Sequence, residues 1–115
     1  MQGAIGGSVA FTLSSAMARW LLERRLSDVS DRLKRQRGEL QVIDEQLAFL
    51  AEAADETRLR ALVSETPLAD REHHEAQKHA DAMARQRAAV LASIGELERA
   101  QDELLDKLVM ESRSR

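Results

Sequence analysis

The sequence predicts an all-α chain folded as an antiparallel two-helix coiled-coil hairpin, with dimerisation into a four-helix bundle as a further expectation. Three observations carry this. Two long segments repeat apolar residues at alternating spacings of three and four, the signature of a coiled-coil seam. The only proline, Pro67, stands between them directly behind Thr66. Aromatic residues make up 3% of the chain, against 43% hydrophobic and 32% charged residues. Such a composition fills a thin leucine and alanine core rather than a compact centre.

Residues 1–19 carry no charge between Gln2 and Ala18, and Ile5, Val9, Phe11, Leu13 and Met17 are diluted by glycine and serine. Three readings stand open. A disordered or weakly helical extension is the favoured one, because order is poorest at chain ends. A membrane anchor is the second: a span needs about 20 mainly apolar residues, and Arg19, Arg24 and Arg25 would suit its cytoplasmic flank. The third is a secretory signal with Ala16-Met17-Ala18 as cleavage site, although the positive start is missing.

The hairpin itself is expected over 20–111. In the first arm, 20–63, Leu22, Leu26, Val29, Leu33, Gln36, Leu40, Ile43, Leu47, Leu50 and Ala54 keep the three-four alternation for several heptads. Gly38 falls on the outer face. Asp55 or Thr57 could cap a new turn inside this arm, but continuity to Val63 is preferred. The turn is placed at 64–66. Thr66 is a good amino-terminal cap, and proline at the first helical position gives up a donor that has no partner there anyway. Proline also pushes its predecessor out of the α region, so the first helix should end by about Glu65. Leu59, Leu62, Val63 and Leu68 are expected to form a small apolar cap over the turn.

The second arm, 67–111, repeats the pattern with Ala76, Ala80, Met83, Arg87, Val90, Ile94, Leu97, Gln101, Leu104 and Leu108, and 112–115 should fray. Pairing residues equally far from Glu65 sets Leu33 opposite Leu97 and Leu47 opposite Met83. A slip of one heptad would instead bring Gln36 to Gln101. The short turn favours the first register.

Function is less legible than fold. The net charge of −3 comes from 17 basic and 20 acidic residues that are interspersed, without the basic stripe of a direct nucleic-acid binder. Without cysteine there is no disulfide or thiolate chemistry. Asp70, Glu72, His73, His74, Glu75 and His79 include carboxylate and imidazole pairs four apart, a spacing that suits a metal. The first arm offers no matching ligands, so the cluster reads as a polar helix start and no metal, cofactor or catalytic residue is assigned. Leu21, Val42, Phe49, Leu91 and Leu105 lie outside the seams and are the candidate partner-binding residues, for another protein or for a second copy in a homodimer. Asp55, Glu56, Glu65 and Asp70 form a candidate acidic tip.

The run Arg58-Leu59-Arg60-Ala61-Leu62-Val63-Ser64-Glu65-Thr66-Pro67-Leu68-Ala69-Asp70-Arg71-Glu72, with Gln101-Asp102-Glu103-Leu104-Leu105-Asp106-Lys107-Leu108 downstream, resembles small helical-hairpin proteins of actinobacteria over about residues 21–108. The resemblance implies a bacterial, cytoplasmic protein and supplies no activity. The expected function is a non-catalytic interaction or scaffold module. The alternatives are an acidic-tipped hairpin regulating a large machine such as RNA polymerase, and a coiled-coil spacer tethered to a membrane through residues 1–19.

Overall fold

The structure, a computed structural model, describes residues 2–113, with side chains from residue 13 onward. Two helices account for it: α1, Gln2–Ser64, and α2, Pro67–Arg113. They pack against each other as an all-α hairpin, and no strand occurs among the described residues. The arms are longer than the periodicity alone suggested. The backbone of α1 is already helical through the stretch set apart as an extension, and α2 takes in Ser112 and Arg113. The side chains of residues 1–12, on which the anchor reading mostly rests, lie outside the described ones, as do residues 114 and 115. Among the described residues, no helix is long and apolar enough to cross a membrane.

The reversal takes two residues and is built from backbone chemistry. Glu65 adopts φ 52, the left-handed conformation that ends many helices, and its N–H donates to Ala61 O at 3.1 Å. Thr66 then caps α2 as its residue type predicts: Oγ1 accepts the Ala69 N–H at 3.2 Å, and the Thr66 carbonyl accepts the Asp70 N–H at 3.1 Å. Asp70 sits in the first turn of α2 and Arg113 in the last, each matched to the local end of the helix dipole.

The two helices build two units. The first joins α1 up to Lys34 with α2 from Gly95 onward; the second is Arg35–Ile94 and contains the turn. In the first unit Leu33 and Leu104 are buried, and Leu22, Leu26, Val29, Leu97 and Leu108 are half-buried along the same faces. Gln101 Nε2 donates to Ser30 Oγ at 3.2 Å, and Ser15 Oγ donates to Glu111 Oε1 at 2.7 Å. In the second unit Ile43, Ala54, Ala69, Ala80, Val90 and Ile94 are buried, flanked by half-buried Leu40, Leu47, Leu50 and Met83. The only buried polar residue among those described is Thr57.

These polar contacts fix the register. Thr57 meets His73, Asp44 meets Arg87, and Ser30 meets Gln101, each pair equally far from Glu65 to within a residue. The slipped alternative is therefore not the one adopted: Gln101 finds Ser30, while Gln36 donates to Glu39 on its own helix. Polar residues inside a seam are tolerated when partnered, and no buried side-chain nitrogen or oxygen described lacks a hydrogen bond.

Two local expectations need correction. Thr57 caps no new turn. Its hydroxyl lies 3.0 Å from the Ala53 carbonyl and 2.9 Å from the Ala54 carbonyl and bonds back along its own helix, so α1 runs through unbroken. Leu59, Leu62, Val63 and Leu68 close no apolar cap over the turn. All four are exposed, Val63 to 86%, because they occupy positions that point away from the seam.

Candidate interaction surfaces

A seam position is labelled a or d in the heptad abcdefg; c and g then flank it on one side, e and b on the other, and f points outward. In an antiparallel pair the c and g residues of the two helices share one flank, and the e and b residues share the opposite one. This arithmetic divides the five candidate partner-binding residues. In the second unit Val42 and Phe49 are c residues of α1, whereas Leu91 is an e residue of α2. In the first unit Leu21 is a c residue and Leu105 an e residue. All five are exposed, but within each unit they lie on opposite flanks and make no common surface.

Phe49 is the most exposed of the five, at 72%. It lines an open groove of about 470 Å³ with Glu45, Gln46, Leu50 and Met83. Leu50 and Met83 are seam residues that remain half-buried, so the floor of this groove is the core of the second unit seen from the side. An aromatic ring lying over an incompletely covered core is the arrangement a partner side chain can close.

The acidic candidates Asp55, Glu56, Glu65 and Asp70 are all exposed around the turn. They share that end of the second unit with exposed Leu59, Leu62, Val63 and Leu68. The tip is thus mixed in character, apolar as much as acidic.

The histidines do not converge. His73 occupies a seam position, half-buried, with Nδ1 3.4 Å from Thr57 Oγ1, while His74 and His79 are exposed. His74 lines a shallow depression with Gln77, Lys78, Asp81 and Arg85. Among the described residues, no three of His, Cys, Asp and Glu are placed to hold a metal ion.

One surface escaped sequence reasoning. Leu13, Ala16, Met17 and Trp20 line an apolar groove of about 370 Å³ on the first unit. Residues spaced four and three apart at 13, 17 and 20 are a helical stripe, but treating 1–19 as an extension removed two of them from the pattern. On α2 of the same unit, Leu105 and Val109 are exposed at e and b positions, the flank to which Leu13, Ala16 and Trp20 also belong.

No protein-family model, curated protein or solved structure matches the chain.

Proposed function

We propose that this chain is a non-catalytic interaction or scaffold module of the cytoplasm, a helical hairpin that holds apolar side chains out for a protein partner or for a second copy of itself. The observation that carries the reading is Phe49, 72% exposed beside half-buried Leu50 and Met83. Isolated apolar residues on a surface are ordinary, but an aromatic ring at the mouth of a groove floored by core residues is a ready anchor.

The test compares two double variants as bait against the wild type. Val42→Asp with Phe49→Asp alters only c positions and leaves the seam intact, so helix content by circular dichroism should be unchanged while partner recovery is lost. Asp55→Ala with Glu56→Ala should recover the partner as the wild type does. Loss of the partner in the acidic pair alone would replace this reading with that of an acidic-tipped regulator. A spacer held at a membrane is tested by fractionation: the full chain and a chain starting at Met17 should both stay out of the membrane pellet.

A further inference from the structure

The flank of the first unit that carries Trp20 has a feature that the rest of the surface lacks: its two helices contribute matching apolar groups and opposite charge. From α1 come Leu13, Met17 and Trp20, exposed to 66%, 58% and 53%; from α2 come Leu105 and Val109, exposed to 45% and 49%. Within this unit α1 between Leu13 and Lys34 holds five basic residues against three acidic, while α2 between Gly95 and Arg113 holds three basic against six acidic. The register set by Ser30 and Gln101 puts Trp20 level with Val109, and Arg24, one turn further, level with Asp106. Arg24 and Asp106 are both exposed at outward f positions.

We propose that the first unit binds a second copy of the chain through this flank, in a two-fold dimer whose axis runs along the helices. That operation lays α1 of one copy on α2 of the other. Trp20 then meets the partner's Val109 and Leu105, and Arg24 meets the partner's Asp106, each contact occurring twice by symmetry. A two-fold axis across the helices would lay α1 on α1 and oppose the basic segments, so charge selects the first arrangement. An anionic lipid surface fits less well, because Asp102 and Asp106 border the α2 side of the patch. The inference rests on the reading of the chain as an interaction module and names the occupant of one face of it.

Trp20 is the only tryptophan, so the wild-type chain reports on its own interface. Sedimentation velocity and tryptophan emission are recorded over one dilution series from high micromolar to nanomolar. A dimer mass that falls to the monomer mass is expected, with emission moving to longer wavelength over the same concentrations. Arg24→Glu and Asp106→Arg should each raise the midpoint by about tenfold, and their equimolar mixture should return it toward the wild-type value. In the mixture every reversed charge meets its complement on the other chain. Val42→Asp with Phe49→Asp should leave the midpoint alone, so failure at this flank and failure at the Phe49 groove are read separately. A monomer at all concentrations overturns the proposal. So does a mass change without an emission change, or a mixture that associates no better than its components. If a charge variant loses helix by circular dichroism, the wild-type series decides alone.

Discussion

Glu65 holds a left-handed backbone angle that costs an L-residue about 1–2 kcal/mol and costs glycine almost nothing. Glu65→Gly should therefore raise stability by about 1 kcal/mol, read as a higher denaturation midpoint at unchanged slope. The neighbouring Thr66→Ala deletes the acceptor for the Ala69 N–H and should lower stability by about 1 kcal/mol. Gly38 offers a third measurement. A Cβ added there meets nothing within 4 Å, so Gly38→Ala should gain about 1 kcal/mol of helix propensity. The cap was legible in advance because Thr-Pro has one dominant meaning at a helix start. The fate of Thr57 was not: a threonine hydroxyl can serve a new turn or its own preceding carbonyls, and only the surrounding helix decides between them.

The seams form the next scale. Every seam residue named from the spacing is buried or half-buried, because a strict three-four alternation leaves one stripe per helix able to leave water. The same alternation continues beyond the stretch first read, through Arg19 and Ser15 in α1 and through His73 and Ala69 in α2. Those residues are polar or small, so hydropathy does not flag them although their geometry places them in line. Leu33, at 2% exposure, is the best-buried seam residue of the first unit, and Leu33→Ala should cost about 2–5 kcal/mol. The ion pair from Arg87 to Asp44 is a surface pair, its side chains 39% and 47% exposed, and Asp44→Ala should cost at most about 1 kcal/mol. A denaturation series with both variants ranks them; comparable losses would mean that the seam is not what holds the helices together. The flank of each apolar residue outside the seam was readable in principle, since heptad position fixes it. Grouping Leu91 and Leu105 with Val42 and Phe49 overlooked that antiparallel helices match e with e and c with c.

For the molecule as a whole, a pair of helices buries one stripe of each and leaves the remaining apolar residues in water. Any partner that covers them adds stability by mass action, so the unfolding midpoint should rise with protein concentration if that partner is another copy. A midpoint independent of concentration over the range used for sedimentation would count against self-association and leave binding to other proteins untouched.

The two-residue connection has a consequence of its own. It contains no slack, and one of its members must take a backbone angle that proline is barred from. Glu65→Pro should accordingly prevent the chain from closing on itself, and each helix would satisfy its stripe by trading places with its counterpart on a neighbouring molecule. Gel filtration after refolding should show Glu65→Pro as an intertwined larger species and Glu65→Gly eluting with the wild type.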